Sequence, residues 1–227
     1  MTETLIEARQ LSAGYSRMAV VRDIDLHVDA GEVVALIGAN GAGKTTTLLT
    51  LAGELSPRAG AVWFLGKPTR AAMHARCRNG LSYVTEERSV IMNMSVANNL
   101  KVAGVDPQAA FAFFPALERI MGRRAGLCSG GEQQMLSLAR ALARHPKVLL
   151  ADELSLGLAP LVVTNLLKAV RSAANSGVGV LLVEQHVRQA LAIADRVYVM
   201  QRGRIALSGS VSEVAGQLDK IEAAYLT

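Results

Sequence analysis

Residues 38–46 are of the types that bind phosphate groups. They read Gly-Ala-Asn-Gly-Ala-Gly-Lys-Thr-Thr, between an apolar run at 33–37 and a further apolar stretch at 47–52. Glycines let successive backbone N–H groups point into one concavity, and the start of a helix adds the positive end of its dipole. Lys44 can reach the terminal phosphates of a nucleotide, and the Thr45 hydroxyl can ligate Mg²⁺. The pattern predicts a P-loop that binds a nucleoside triphosphate through Gly38, Ala39, Asn40, Gly41, Ala42, Gly43, Lys44, Thr45 and Thr46.

Two acids follow a second apolar run. Asp152 and Glu153 come directly after residues 148–151, Val-Leu-Leu-Ala. In an open α/β sheet, ligands bind beyond the carboxyl ends of the strands, which here means beside the P-loop. We therefore expect Asp152 to hold Mg²⁺, directly or through water, and Glu153 to orient or deprotonate the attacking water. A strand that ends in acids by coincidence is the alternative, and the P-loop upstream disfavours it.

A second turn of small residues lies at residues 129–132, Ser-Gly-Gly-Glu, and we refer to it as the Ser129 turn. It leads into an apolar helical pattern that begins near Met135. Such a turn at a helix N-terminus is a potential second phosphate site. By itself the signal is weak, because Ser-Gly-Gly is also ordinary loop and N-cap material.

Strands that alternate with helices must position these residues. Strands are predicted within residues 5–28 and at 33–37, 61–65, 81–84, 147–151, 178–183, 196–200 and 204–207, with a turn at 66–68. Helices are predicted at 47–52, from Asp106-Pro107, at about 135–144 and 160–175, and after residue 212. This order implies an α/β fold with a parallel sheet, an antiparallel β portion before it and a helical insert at approximately residues 86–145. We expect one domain over residues 1–227.

Composition and charge restrict the class of protein. Hydrophobic residues make up 51% of the 227, yet no run approaches the roughly 18 apolar residues of a membrane span. The net charge of +5 would suit nucleic acid, an anionic membrane surface or an ordinary solvated surface. The basic residues are scattered and aromatic residues are only 4% of the chain, so we expect no nucleic-acid partner. Cys77 and Cys128 lack metal-ligand spacing and fit a reducing compartment.

Together these motifs resemble the ATP-binding cassette (ABC) ATPases. The family's signature, Leu-Ser-Gly-Gly-Gln or a close variant, is matched at residues 128–132 with Cys128 in the leucine position. The resemblance covers essentially the whole chain and implies a P-loop NTPase fold with a RecA-like parallel-sheet core, an antiparallel β subdomain and a helical subdomain. It also implies a head-to-tail dimer with two ATP sites. Each ATP would lie between the P-loop of one cassette and Ser129, Gly130, Gly131 and Glu132 of the other.

The resemblance also implies roles for single residues. His186, in Val183-Glu184-Gln185-His186, would contact the γ-phosphate and act in catalysis beside Glu153 and Lys44. Tyr15 would stack on adenine, although a core or surface tyrosine is the alternative. Glu86 stands where most ABC proteins have a glutamine that senses Mg²⁺, so the implied metal set is Thr45, Asp152 and Glu86.

A closer similarity is to the branched-chain amino-acid (Liv-type) importer subunits, F type. It is carried by residues 132–136, by residues 155–160 and by the ending Ala224-Tyr225-Leu226, whereas Thr85, Glu87 and Leu154 depart from the pattern. The similarity implies a peripheral ATPase on the cytoplasmic face of the inner membrane that drives transmembrane permease subunits. A second cassette, identical or related, would complete the dimer, and a substrate-binding protein would take part indirectly.

Other functions within the family remain open. DNA-repair and chromosome ATPases insert long coiled coils between P-loop and signature, and no heptad run lies between Lys44 and Ser129. Translation-type members carry two cassettes per chain, whereas this chain has one. A regulatory or soluble ATPase that is not coupled to transport is the remaining alternative. The cargo is not encoded in this chain, since selectivity would lie in the permease.

Overall fold

The computed structural model describes residues 3–16 and 18–216. The first strands of the chain belong to an antiparallel sheet. Its strands are β1 (Thr4–Ala13), β2 (Val21–Asp29), β4 (Ala59–Phe64) and β5 (Lys67–Thr69), in the order β2-β1-β4-β5. The prediction of a turn at 66–68 was wrong for Lys67 and Pro68, which already pair with Phe64 and Trp63. Pro68 is tolerated in β5 because an edge strand does not need its missing N–H for a ladder bond.

A six-stranded sheet forms the centre of the fold. Its strands are β3 (Val33–Ile37), β6 (Leu81–Val84), β7 (Val148–Asp152), β8 (Gly179–Glu184), β9 (Arg196–Gln201) and β10 (Arg204–Ser210). They lie in the order β10-β9-β3-β8-β7-β6, and all neighbours are parallel except the β9–β10 hairpin. Every residue of β3, β7 and β8 is buried, as in parallel sheets covered on both faces. The apolar runs read as buried strands are thus confirmed.

Helices lie between the strands of the two sheets and after the last strand. They are α1 (Lys44–Ala52), α2 (Met73–Arg78), α6 (Pro160–Asn175), α7 (Val187–Leu191) and α8 (Val211–Ala215). The predicted helix at 160–175 is confirmed, with Pro160 in the first turn. Sequence reasoning missed α2 and α7, which are six and five residues long, because a periodic pattern needs more turns to be visible.

A helical region lies between β6 and β7. It contains α3 (Val96–Val102), α4 (Pro107–Phe113), two 3₁₀ turns (Pro115–Ile120 and Ala125–Leu127) and α5 (Gly130–Leu142). The predicted start of α4 is confirmed, because the Asp106 carboxylate accepts the N–H of Gln108 and caps the helix. The helical insert is therefore present, while its limits at 86–145 and the single domain over 1–227 stay predictions. Of the predicted C-terminal helix, α8 covers the first part, and Ala224-Tyr225-Leu226 lie outside the described residues.

The strand order places the chemistry-bearing residues at one edge. β8 lies between β3 and β7, and the three strands run parallel. The residues that follow β3 form the P-loop, those at the end of β7 are Asp152 and Glu153, and those at the end of β8 are Glu184 and Gln185. The carboxyl ends of these strands therefore meet at a single site.

Candidate functional site

Two glycines of the P-loop are required by its backbone geometry. Gly43 is the N-cap of α1 and has φ of 109°, a left-handed conformation that favours glycine. A Cβ at Gly38 would lie 2.3 Å from the carbonyl oxygen of Met200, so any side chain there would collide with β9. The predicted order of strand, glycine-rich loop and helix is therefore present.

Lys44 is buried in the loop that it belongs to. Its Nζ donates to the carbonyl oxygens of Gly38 and Ala39, at 2.8 and 3.2 Å, and lies 3.8 Å from Oε1 of Glu153. Burial lowers the pKa of Lys44, and the negative charge of Glu153 opposes that shift. Neutral carbonyl partners can be exchanged for phosphate oxygens, which form stronger, charge-assisted bonds with an ammonium group.

Asp152 has the properties of a cation ligand. It is 2% exposed, and its Oδ1 has no hydrogen-bond partner within the described part of the chain. Burial raises its pKa to about 6, and a hydrogen bond from the Thr45 hydroxyl opposes this shift. A buried carboxylate oxygen without a partner, next to a hydroxyl, fits Mg²⁺, which takes one or two protein oxygens and completes its octahedron with phosphates and water. The described residues contain no group of three His, Cys, Asp or Glu side chains suited to a metal, so those other ligands would be needed.

Tyr83 on β6 is a contact of this site that the sequence did not reveal. Burial raises the pKa of Tyr83, and the negative charge of Asp152 reinforces this shift. Glu86 acts on the same pair, because its charge raises the pKa of both Asp152 and Tyr83. The predicted metal residues Thr45, Asp152 and Glu86 are thus brought into one neighbourhood.

Glu153 is held by the end of β8. Its N–H donates to the carbonyl oxygen of Val183 at 3.0 Å, and its carboxylate oxygens accept bonds of 2.8 and 2.7 Å from Nε2 of Gln185. The backbone at Glu153 has φ of 47°, a conformation that costs a residue with a side chain about 1–3 kcal/mol. The surrounding contacts therefore fix Glu153 in an unfavourable conformation at the wall of the site.

A cavity of about 430 Å³ opens above the P-loop. It is lined by Val20, Asn40, Gly41, Gly43, Lys44, Thr45, Thr46, Glu86, Glu153, Leu156 and Gln185. Its volume lies in the range of small-molecule sites. The cavity combines the P-loop residues with Glu86 and Glu153, and its lining includes neither the Ser129 turn, nor Tyr15, nor His186 among the residues that the structure describes.

The Ser129 turn forms the N-terminus of α5. The Ser129 hydroxyl accepts the N–H of Glu132 at 3.2 Å, and the Glu132 carboxylate accepts the N–H of Ser129 at 2.7 Å and lies 3.2 Å from Arg123. This is a capping box, which fixes the first turn of the helix. A Cβ at Gly130 would lie 2.9 Å from Nη1 of Arg88, so Arg88 lies against this turn. Ser129 itself is exposed and available to a neighbouring molecule.

Comparison with known proteins assigns the chain to a family. A family profile described as ABC transporter matches residues 21–155, which is more than half of the chain. The chain belongs to the ABC transporter family. The expected cassette fold is confirmed by a solved structure described as the ATP binding subunit of an ABC transporter. That structure superposes with a TM-score of 0.84 at 27% identity, over 98% of this chain and 100% of the other.

Two curated ABC relatives show the range of systems that use similar cassettes. The chain is 37% identical to the high-affinity branched-chain amino acid transport ATP-binding protein BraG of Pseudomonas aeruginosa, over 96% of this chain and 97% of the relative. It is 35% identical to the lipopolysaccharide export system ATP-binding protein LptB of Acidithiobacillus ferridurans, over 92% of each. We therefore class the chain as an ATPase and as the ATP-binding subunit of an ABC transporter. None of the helices within the described residues is long and apolar enough to span a bilayer.

Within this ABC cassette, Gln185 and His186 are placed differently at the end of β8. β8 ends at Glu184 and α7 begins at Val187, so Gln185 is the residue whose side chain reaches the cavity. His186 is the exposed N-cap residue of α7 and does not line the cavity. The structure brings Gln185 to Glu153, and the contact of His186 with the γ-phosphate stays a prediction. The sequence carried a signal for this, because Gln185 follows a buried strand just as Glu153 does.

Tyr15 lies at the surface of the ABC cassette. It is 49% exposed, which leaves its ring free to stack on a base, and it is not a core residue. Adenine stacking by Tyr15 therefore stays a prediction.

Proposed function

We propose that this chain is the ATP-hydrolysing subunit of an ABC importer that energises uptake of branched-chain or other small amino acids. Separate transmembrane permease subunits would carry the cargo. The main support for ATP hydrolysis is the position of Glu153. Its carboxylate lies 3.8 Å from the Lys44 ammonium, at the wall of the P-loop cavity. A water that attacks the terminal phosphate of ATP would lie between that phosphate and Glu153.

Several residues in and beside the cavity have roles in this reaction. The P-loop N–H groups bind the β and γ phosphates, and Lys44 exchanges its contacts with Gly38 and Ala39 for phosphate oxygens. Thr45 and Asp152 would hold Mg²⁺, with Glu86 as a further candidate ligand. When bound, Mg²⁺ neutralises charge on the phosphates. Glu153 orients the attacking water and accepts its proton.

The site is completed by a second cassette. The described residues that line the cavity include none from the Ser129 turn, although that turn offers a helix N-terminus and an exposed hydroxyl. A second cassette, identical or related, can place its Ser129 turn over the nucleotide, where the backbone N–H groups at a helix N-terminus bind phosphate. Hydrolysis then requires two molecules, and ATP binding couples to their closure.

The proposals for the cargo and the partners are based on similarity to the relatives. The similarity to BraG supports amino-acid import, with the chain docked on permease subunits at the cytoplasmic face of the inner membrane and a substrate-binding protein acting indirectly. The similarity to LptB supports a second candidate, in which the same ATPase energises export of lipopolysaccharide. A regulatory or soluble ATPase without a permease is the third candidate.

Purification of the chain from membranes with its bound partners distinguishes these candidates. For an importer we expect hydrophobic permease subunits and a second cassette to copurify, and the reconstituted complex to take up labelled leucine only with ATP. Copurification with lipopolysaccharide-transport subunits would favour the second candidate. Recovery of the chain without any membrane subunit, with full ATPase activity, would contradict coupling to transport.

A further inference from the structure

Glu184 is a buried carboxylate with two dedicated donors. It is the last residue of β8 and is 1% exposed. Its Oε1 accepts the N–H of Ser155 at 3.1 Å, and its Oε2 accepts the Ser155 hydroxyl at 2.6 Å. Burial raises the pKa of Glu184, and the two bonds from Ser155 oppose that shift. The pair therefore ties β8 to the loop that follows β7.

The hydrogen bonds between Glu184 and Ser155 lie next to Glu153, the residue proposed to activate water. Residues 183–185 of the β8 end hold residues 153–155 at three points. Val183 accepts the N–H of Glu153, Glu184 accepts both donors of Ser155, and Gln185 donates to the Glu153 carboxylate. Glu153 needs such support because its backbone is in the left-handed region, with φ of 47°.

We propose that Glu184 is a positioning residue, which fixes the turn carrying Glu153 through its two bonds to Ser155. Glu184 does not line the P-loop cavity, so it acts on the reaction through Glu153 and not by contact with nucleotide. The inference rests on the proposed function, in which Glu153 activates water. It predicts that loss of Glu184 slows the chemical step while leaving nucleotide binding in place.

Two substitutions at Glu184 separate positioning from bulk packing. In Glu184→Ala both Ser155 donors lose their partner, and we expect kcat to fall about tenfold or more with KM within about twofold, because small displacements of a reacting group are costly. In Glu184→Gln the amide oxygen still accepts the Ser155 N–H, and the amide NH₂ can donate to the Ser155 hydroxyl. We expect this variant to keep kcat within about threefold of wild type.

The exposed pair Ser210–Glu213 is a matched control. Glu213 accepts the N–H and the hydroxyl of Ser210, both at 2.8 Å, in a similar pairing on α8. Glu213→Ala should leave kcat and KM at their wild-type values. Ser155→Ala, which removes only the hydroxyl bond, should lower kcat less than Glu184→Ala, and the double variant should be no slower than Glu184→Ala alone, because both changes break the same contact.

Combination with Glu153→Gln makes the test specific. If Glu184 acts through Glu153, adding Glu184→Ala to Glu153→Gln changes the small residual turnover by less than about twofold. The proposal is overturned if Glu184→Ala keeps wild-type kcat, if it slows the Glu153→Gln enzyme as much as the wild type, or if Glu184→Gln is as slow as Glu184→Ala. Failure of the proposed function is distinguishable, because wild type and Glu153→Gln would then turn over ATP equally.

Discussion

The side-chain amide of Gln185 donates to both carboxylate oxygens of Glu153, at 2.8 and 2.7 Å. The pair links the end of β8 to the turn after β7, and both residues line the P-loop cavity. Gln185 therefore holds the Glu153 carboxylate at the wall of the cavity, where the proposed mechanism places the attacking water.

Removal of this amide should slow hydrolysis. In Gln185→Ala the Glu153 carboxylate loses its orienting partner, and we expect kcat to fall about tenfold with little change in KM. Steady-state ATPase measurements over a range of ATP concentrations give both constants. Gln108→Ala, an exposed glutamine on α4, is the control and should behave as wild type. An unchanged kcat in Gln185→Ala would show that Glu153 is positioned without Gln185.

Asp152 should make the nucleotide-free protein less stable as the pH rises through the acid range. Burial raises its folded-state pKa from 3.8 to about 6, so the folded state binds this proton more tightly than the unfolded state. The stabilising proton is fully present below pH 3.8 and is lost as the pH rises to about 6, at a cost of at most about 3 kcal/mol. Urea unfolding without Mg²⁺ at pH 4.5 and pH 7 should show this loss in wild type.

Asp152→Asn is the control for the pH effect. Because asparagine does not titrate, the difference in unfolding free energy between the two pH values should be smaller in the variant by the contribution of Asp152. Equal pH dependence in wild type and Asp152→Asn would contradict a raised pKa at this position. Asp152→Asn should also bind nucleotide with less dependence on Mg²⁺, since it lacks the charged oxygen ligand.

Ser129→Ala should separate nucleotide binding from turnover. The Ser129 turn does not line the cavity of its own chain in the described structure, so the affinity of the isolated cassette for ATP should not change. Turnover of the assembled protein should fall by about 100-fold, the typical effect of removing one stabilising donor from a reaction centre. Fluorescent-nucleotide titration and steady-state ATPase assays provide the two measurements.

A matched cap variant controls for stability in this experiment. Ser129→Ala also removes an N-cap, which costs about 1 kcal/mol of stability. Ser210 caps α8 with the same kind of capping box, so Ser210→Ala carries a similar structural penalty away from the site. Equal losses of turnover in the two variants would mean that the Ser129 effect is structural only.

Much of the fold follows from the sequence because its strands are short, apolar and separated by strong turn signals. The P-loop, the strand ending in Asp152 and the α6 helix that begins at Pro160 all carry local patterns. The strand order carries no such local pattern, because the position of β8 between β3 and β7 depends on long-range pairing. That order brings Gln185 and Glu184 to the site, and this is why both were missed.

Other parts of the site depend on contacts that no spacing rule reveals. The electrostatic effect of Asp152 on Tyr83 acts between neighbouring strands that lie more than 60 residues apart in the chain. The role of His186 came from family resemblance and stays a prediction, whereas the contact between Gln185 and Glu153 is visible only in the three-dimensional structure.

The central claim is that each reaction centre needs two cassettes. The direct measurement is ATPase activity per chain during dilution of the protein. The dilution runs from a concentration at which the protein self-associates to one at which light scattering shows only monomers. The copurified partner cassette is then added back at the lowest concentration. We expect the rate per chain to fall toward zero in the monomer and to return when the partner is added. A constant rate per chain across the dilution, unaffected by Ser129→Ala, would contradict the claim.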